Sequence, residues 1–501
     1  MTGPMEIEKY RQRLEQFDEA LNRELYYYYS GLKDRLHTSG LYSEYSDLFT
    51  IESIREIETE IERTPEYCES HKKSLARLRW FALEQHLNSR VSLISQEISA
   101  FEAQRTFKWD GREIAFVQIP VLLHQEASAV RRGHLNAIRA STMKEVESLK
   151  RNRLAELHVA SEELGFESYL DVCQRCTGIS YAGLAAQIEK LMAATATVYF
   201  ERLNGSLEGT VGLPAAQARH CDAWYWRRKN QSWHFFSKER LLAAVGETFS
   251  RMGLQPQKLG LISMDMEKRP LKHPRPFCVA IRVPNEIKIV LLPRGGYNDY
   301  AALLHESGHA HHFAWTSPSL PVEHRIWGDR GLTETYAFLF EYLLADREWL
   351  RDTLVITPPD DMYRFQILYR AFIVRRYAGK LKCAITLHKN GLPADAPELY
   401  AEYMNQYTGL RHEPEFYLED LLEGFNSADY LRAWIFQVML REHLRLKYGN
   451  AWYCCRSAGN FLKDLWATGQ FYTLDELCRE IGLGALDAQI LQDEIVEGLS
   501  R

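Results

Sequence analysis

The sequence contains few cysteines, and their number is odd. Nine cysteines in 501 residues argue against a disulfide framework and favour reduced thiols in a cytosol. The first residues, MTGPMEIEKYRQRLEQ, are charged from the first turn and lack the apolar segment of a signal peptide. We therefore expect a cytoplasmic protein.

Long apolar runs and a strong charge of either sign are also missing. No uninterrupted apolar stretch reaches the length of a membrane span. Lys and Arg together number 61 against 67 Asp and Glu, and the net charge of -6 is too small to indicate a nucleic-acid footprint. We expect neither a membrane nor a nucleic acid as partner, and no pattern indicates an oligomeric state.

Helical periodicity fills most of the chain. Apolar residues make up 46% of the composition, enough for a wide core, and the segment 71–104 has the spacing of an amphipathic helix. Two β-prone runs around Asp110 and Gly111 predict a hairpin. The runs PFCVAIRVP (276–284) and EIKIVLLP (286–293) predict a β-ribbon that leads into the next segment. The expected fold is mainly α, with this small β-ribbon.

The segment HESGHAHHF after the ribbon carries the strongest chemical signal. His305 and His309 are four residues apart, so on a helix they lie on one face and can bind one metal ion together. Glu306 follows the first histidine, which places its carboxylate beside the metal, where it can accept a proton from water. This is the HExxH pattern of zinc hydrolases, although a chain of this length contains it by chance with a probability on the order of a few per cent.

The other two histidines of the segment are less suited to bind the metal ion. His312 projects near the same helix face as His309, one turn from the expected ion, so we expect it to line the cleft or to contact a ligand from behind. His311 points to a different side, and we expect no role for it. A third ligand must therefore come from elsewhere in the chain.

Two downstream glutamates are candidates for the remainder of the site. A second helix is expected to begin near Thr333, and Glu334 and Glu341 stand on one face of it among apolar neighbours. An isolated carboxylate would be unfavourable there, and a metal or a histidine partner removes that penalty. Glu334 is therefore a candidate metal ligand. Glu341 is a candidate hydrogen-bond partner for one of the residues that bind the metal. For Glu341, a solvated helix face is the alternative.

These motifs resemble a known family. The HExGH pattern at 305–309, followed by Glu334 and by Glu341 two turns later, resembles the thimet oligopeptidase and oligoendopeptidase F family of zinc peptidases. The segments 240–254 and 281–293 are similar to the approach to that family's catalytic helix. The resemblance implies a zinc metallopeptidase that hydrolyses oligopeptides.

The resemblance also implies an architecture. The family is mostly α-helical, with two lobes around a deep substrate channel, and it cleaves short peptides and not folded proteins. Similarity from about residue 185 onwards implies an N-terminal helical lobe, 1–184, and a catalytic domain, 185–501. One Zn2+ per chain would be held by His305, His309 and Glu334.

One region departs from the family's pattern. The family places a histidine and tyrosines late in the chain to hold the oxyanion of the reaction. The corresponding region here is EGFNSADYLRAWIFQ (423–437), in which Tyr430 is the only tyrosine, and the nearest upstream histidine is His412. The resemblance implies Tyr430 as the oxyanion donor, with His412 as the alternative. A buried aromatic without a catalytic role is the other interpretation of Tyr430.

Three functions stay open at this point. The first is a zinc-dependent endopeptidase with Glu306 as general base for a metal-activated water. The second is a zinc carboxypeptidase resembling the carboxypeptidase Taq family, which shares HExGHA and a downstream glutamate, although its His-Pro and Arg motifs are not found here. The third is a catalytically silent helical scaffold that keeps a metal for stability. Glu306 argues against the third, because a structural site needs ligands but no base.

Overall fold

The computed structural model describes residues 6–232, 234–389, 391–421 and 423–500, and these residues are mainly helical, as the sequence predicted. In chain order the helices are α1 (Ile7–Tyr29), α2 (Thr38–Glu44), α3 (Ile51–Arg63), α4 (Glu69–Gln104), α5 (Ile119–Gln125), α6 (Ala129–Glu163), α7 (Tyr169–Thr177), α8 (Tyr181–Val211), α9 (His220–Trp226), α10 (Lys238–Arg251), α11 (Tyr297–Trp315), α12 (Val322–Ile326), α13 (Arg330–Glu341), α14 (Arg347–Leu354), α15 (Asp360–Lys389), α16 (Ala396–Thr408), α17 (Asn426–Tyr448), α18 (Arg456–Ala467), α19 (Leu474–Glu480) and α20 (Gln489–Ser500). The strands are β1 (Thr106–Trp109), β2 (Arg112–Ala115), β3 (Ile262–Asp265), β4 (Phe277–Arg282) and β5 (Glu286–Val290).

The chain forms two compact units, each assembled from three segments. The first unit comprises Met1–His86, Trp233–Pro358 and Arg432–Asp487. The second comprises Leu87–Ser232, Pro359–Leu431 and Ala488–Arg501. The boundary expected at residue 184 and the channel between lobes stay predictions.

The first unit contains a three-stranded sheet with the order β3-β5-β4. The predicted ribbon is its antiparallel pair of β4 and β5, in which Val279 lies opposite Lys288. The sequence did not predict β3, which pairs in parallel with β5. Both β4 and β5 pack against α11, so the β-ribbon does lie beside the HExxH helix, as expected.

A glycine turn delivers the chain from β5 to α11. Gly295 and Gly296 have φ angles of 90° and 95°, a region that side chains with a Cβ rarely occupy. The carboxylate of Asp299, in the first turn of α11, accepts hydrogen bonds from the backbone N–H of Arg294 (2.5 Å) and of Gly295 (2.7 Å). The turn and the first turn of α11 therefore stabilise each other.

Helices α11 and α13 contact each other at backbone distance. A Cβ atom placed on Gly308 would lie 2.5 Å from both the Cα of Ala337 and the carbonyl oxygen of Tyr336. Atoms of real side chains do not approach backbone so closely, so only glycine permits this packing. The glycine of the HExGH pattern therefore has a packing role, and it sets the distance between the two helices.

A buried carboxylate defines where α13 begins. Asp329 accepts hydrogen bonds from the N–H groups of Gly331 (3.0 Å) and Leu474 (2.8 Å) and from Nη1 (2.9 Å) and Nη2 (2.7 Å) of Arg432. Burial alone would raise the pKa of Asp329, but the charge and hydrogen bonds of Arg432 outweigh burial and lower this pKa. The first turn of α13 is thus tied to α17 and α19 within one unit.

The second unit is built on long helices. Helix α15 packs against α8, α16 and α20, and a separate apolar core joins α5 and α6 to α16 through Leu123, Leu135 and Met404. Strands β1 and β2 form the hairpin that the sequence predicted, with Asp110 and Gly111 at positive φ angles in its turn.

Two further features of the chain bear on its expected environment. All nine cysteines lie among the described residues, and none of them forms a disulfide bond, as expected from their number. None of the helices in the described ranges combines the length and the apolar character needed to cross a membrane.

Replacing Gly308 by alanine tests the helix contact. The new methyl group would force α11 and α13 apart, so the free energy of unfolding should fall by about 1–3 kcal/mol. The matched control is Gly246→Ala in α10, where a Cβ meets no atom within 4 Å and alanine should stabilise the helix by up to about 1 kcal/mol. Chemical denaturation measures both changes, and equal effects of the two variants would contradict the packing role of Gly308.

Candidate metal centre

Three side chains from α11 and α13 converge on one point. Nε2 of His305 lies 3.6 Å from Oε2 of Glu334, and Nε2 of His309 lies 3.9 Å from the same oxygen. The three donor atoms all lie within 4.8 Å of one another. The structure therefore brings together the three residues that the sequence predicted as ligands.

The other ring nitrogen of each histidine faces an oxygen. Nδ1 of His305 lies 2.9 Å from Oε2 of Glu341, and Nδ1 of His309 lies 2.8 Å from Oγ1 of Thr333. When neutral, each ring can hold its proton at Nδ1 and donate it to that oxygen, which leaves the Nε2 lone pair available on the side of Glu334. Partners of this kind orient metal-binding histidines and raise their basicity.

Helix α13 supplies every side chain that completes the site around the two histidines. Thr333 and Glu334 are neighbours in its first turns, and Glu341 lies two turns further on. Because α13 packs on α11 without a side chain between them at Gly308, its carboxylates reach the face that carries both imidazoles. The geometry of the site thus depends on the placement of one helix against another.

The donor set suits zinc. Two imidazole nitrogens and one carboxylate oxygen are the ligands of many catalytic zinc sites, with metal–ligand distances of about 2.0–2.2 Å. The observed separations of 3.6 Å and 3.9 Å are close to those between ligands at two corners of such a tetrahedron. The side chains of His305, His309 and Glu334 remain 18%, 13% and 15% exposed, so an ion and a further ligand can reach them.

The charges of the site act most strongly on His305. Burial acts to lower its pKa, but the hydrogen bond to Glu341 and the charges of Glu341, Glu334 and Glu306 raise this pKa to about 9. Burial and the charge of His305 hold the pKa of His309 well below its ordinary value. A metal ion bound here at neutral pH would have to displace a proton from His305, so we expect metal affinity to rise with pH.

Glu306 lies between the metal centre and the sheet. The backbone N–H of Cys278 in strand β4 is close enough to its carboxylate to act against burial and lower its pKa. Burial is the main influence on its pKa and raises it. A carboxylate with a raised pKa is a better proton acceptor than a solvated one, which is the property that a general base requires.

The two remaining histidines of α11 are fully buried. Nδ1 of His311 bonds to the carbonyl oxygen of Ser307 at 2.8 Å, and its ring stacks on Phe249 at 3.9 Å. Nε2 of His312 lies 3.2 Å from the carbonyl oxygen of Gly469. Burial lowers the pKa of each to about 4. Both rings are thus engaged in packing and hydrogen bonds on the inner sides of α11.

Tyr430 and His412 belong to the second unit. The ring of Tyr430 lies 5.0 Å from that of Tyr377. His412 is buried, its Nδ1 lies 2.9 Å from the carbonyl oxygen of Leu410, and its ring stacks on His220 at 4.6 Å. The oxyanion role of Tyr430 and the alternative role of His412 stay predictions.

Sequence reasoning missed two contributors to the site. Thr333 gives no signal, because a threonine near a helix start is common and its hydroxyl has many local uses. Cys278 contributes a backbone N–H, which no residue identity could indicate. The ribbon itself was the available clue, since its position directly before α11 brings a strand edge close to Glu306.

Two solved structures share this fold. One, from Bacillus anthracis strain Ames, carries the name oligoendopeptidase F. It has a TM-score of 0.62 and 13% sequence identity, and the match covers 95% of this chain and 84% of that one. The other is PZ peptidase A with an inhibitor, with a TM-score of 0.63, 15% identity and coverage of 98% and 86%.

At these identities the likeness shows the fold, and the chemistry has to be argued from the residues. No family model and no curated protein matches the sequence. The fold and the three-donor cluster together describe a helical protein of the oligopeptidase fold with a candidate metal centre.

Replacing Thr333 by valine tests the orientation of His309. Valine has the shape of threonine but no acceptor for the Nδ1 proton, so zinc affinity should fall about 10- to 100-fold. The control Thr333→Ser keeps the hydroxyl and should stay within about threefold of the wild-type affinity. Competition with a chelating dye measures the zinc dissociation constant without an activity assay. An unchanged constant in the valine variant would exclude this role of Thr333.

Proposed function

We propose that this protein is a zinc-dependent endopeptidase that hydrolyses short, unfolded oligopeptides. The observation that carries the proposal is the cluster of His305, His309 and Glu334, with Glu306 as a candidate base on the same helix. Bound there, a zinc ion supplies a Lewis acid that activates water and polarises the carbonyl of the scissile bond. One ion per chain is proposed, and zinc is favoured by the donor types.

Glu306 is proposed as the general base. It takes the proton of the attacking water and passes it to the leaving amine. Burial, which raises its pKa, favours the first transfer, because a more basic carboxylate takes the proton of water more readily. The nearby backbone N–H of Cys278, which acts to lower the same pKa, is proposed to stabilise the ionised carboxylate before it accepts the proton.

The edge of the sheet is proposed to align the substrate. Strand β4 is at the edge of the sheet, so an extended peptide can pair with it through backbone hydrogen bonds and with little side-chain selectivity. Because Cys278 of this strand contacts Glu306, a peptide along β4 would present its backbone close to the base. This arrangement supports cleavage within a peptide that lies across the site.

The fold supports the same proposal. Two of the solved structures that share this fold are named oligoendopeptidase F and PZ peptidase A, which are names of peptidases. The preference for short substrates comes from the family resemblance, and the proposed cytoplasmic location comes from the odd number of cysteines and the charged first residues. A folded substrate could not supply the extended segment that pairing with β4 requires.

Replacing Glu306 and Glu334 separately distinguishes the proposed base from the proposed metal ligand. Glu306→Gln should keep stoichiometric zinc and an unchanged melting temperature but lose about three decades of turnover, because an amide cannot accept the proton. Glu334→Ala should lose zinc affinity first, and added zinc should restore part of the activity. Metal analysis and cleavage of an end-blocked, internally quenched peptide measure these changes.

The control for this pair is Glu247→Gln, a change on the exposed side of α10, which should alter neither zinc content nor turnover. Cleavage of the end-blocked peptide by the wild type also distinguishes an endopeptidase from a carboxypeptidase, which needs a free carboxylate. Loss of zinc in Glu306→Gln, with full zinc in Glu334→Ala, would reverse the proposed roles.

Tyr430 is proposed as the donor that stabilises the oxyanion. Tyr430→Phe removes only the hydroxyl and should lower kcat about a hundredfold, with little change in zinc content or substrate binding. Tyr377→Phe is the matched control, because its ring neighbours that of Tyr430 at 5.0 Å. A kcat equal to that of the wild type would remove Tyr430 from the mechanism.

A further inference from the structure

The first unit contains a pocket that is lined by none of the residues of the candidate metal centre. Its volume is about 590 Å3. Tyr67, Leu320 and Phe471 form an apolar wall, and Arg11, Ser70 and His324 lie among its polar lining residues. The pocket therefore combines an apolar surface with several hydrogen-bond donors.

His324 is a buried polar residue of this pocket without a hydrogen-bond partner for its ring among the described residues. His324 is 2% exposed, and both of its ring nitrogens, Nδ1 and Nε2, are buried. Its ring packs edge-on against Phe471 at 5.0 Å. Burial lowers its pKa to about 4, so at neutral pH the uncharged ring offers one donor and one acceptor. An imidazole with both nitrogens unused destabilises the fold unless it serves an occupant.

Arg11 contributes a cation with donor capacity to spare. Its Nη2 donates to Glu323 at 2.7 Å and to Ser74 at 3.2 Å, and its Nε donates to Glu323 at 3.1 Å. Its Nη1 reaches only the exposed Glu8, at 3.5 Å, among the described residues. The single positive charge of the guanidinium is balanced by Glu323, and its Nη1 keeps capacity to donate a further hydrogen bond.

The start of a long helix completes the lining. Helix α4 has 36 residues, and its first turn, with Ser70 and His71, lines the pocket. The first N–H groups of a helix have no acceptor within it, and the helix dipole adds positive potential there. Glu69 is the one acidic side chain among the described lining residues, and it is exposed. The balance of donors over acceptors favours an anion.

We propose that this pocket binds an anionic group, a carboxylate or a phosphate, that is carried on an apolar or aromatic body. The anion is held by Arg11, by His324 as a neutral donor and by the first turn of α4. The body lies against Phe471 and Leu320. This binding is independent of the metal centre and of the proposed peptidase activity.

Calorimetry on the full-length protein tests the proposal with four probes. Phenyl phosphate and N-acetylphenylalanine each combine an aromatic ring with an anion, and each should bind with a dissociation constant below about 1 mM. N-acetylphenylalaninamide lacks the charge and inorganic phosphate lacks the ring, so both should bind at least about tenfold more weakly. The tighter of the two anionic probes identifies phosphate or carboxylate as the preferred group. Binding should persist after treatment with a chelator, which excludes capture by a metal ion.

Variants of the two polar residues locate the binding. His324→Phe keeps the ring and removes both nitrogens, so it should weaken binding about tenfold while its melting temperature stays equal or rises. Arg11→Lys keeps a positive charge beside Glu323 but loses the planar set of N–H donors of the guanidinium, so it should weaken binding by a similar factor. His443→Phe is the matched control, because this histidine also neighbours a phenylalanine, Phe461, at 5.3 Å, and it should bind as the wild type does.

Three results would overturn the proposal. The first is no binding of either anionic probe up to about 10 mM. The second is equal affinity for the neutral amide, which would remove the anion from the recognition. The third is wild-type affinity in both His324→Phe and Arg11→Lys, which would place the binding elsewhere. Should one variant fail to fold, the other decides this third result.

Discussion

The contact between α11 and α13 at Gly308 is the constraint on which the metal centre depends. Without a side chain at that position the helix backbones touch, and only then can Glu334 reach both imidazoles. The same approach places Thr333 and Glu341 behind the two rings. The close packing therefore determines the chemistry available to the site, because the partners at Nδ1 leave Nε2 of each histidine as the nitrogen that could bind a metal.

The parts of the site that the sequence predicted are those that local geometry determines. A spacing of four residues places His305 and His309 on one helix face regardless of the rest of the fold. Glu334 was predictable because a carboxylate among apolar neighbours needs a partner. Thr333 was not predictable, since its contact with His309 depends on how two separate helices pack. The assignment of Tyr430 rests on a resemblance alone.

The fold was likewise predictable where it follows from local sequence, and not where it depends on contacts between distant segments. Helices follow from periodicity within a short window, and the hairpin at Asp110 and Gly111 follows from two turn residues. Strand β3 has only four residues, Ile262–Asp265, and its partner β5 lies more than twenty positions along the chain. A short strand paired at long range leaves little local signal. The division into two segmented units is hidden for a similar reason, because two of the boundaries, at 86/87 and 431/432, fall inside the helices α4 and α17.

The segmented make-up of the first unit has a consequence for how the protein matures. The residues that would hold a metal all precede position 342, but Arg432, which anchors Asp329 at the start of α13, belongs to the last segment of that unit. During synthesis the ribosome delivers that segment about a hundred residues after the ligands. The nascent chain therefore carries all the candidate donors before it has the support that arranges them, so the candidate metal centre can reach its final geometry only near the end of translation.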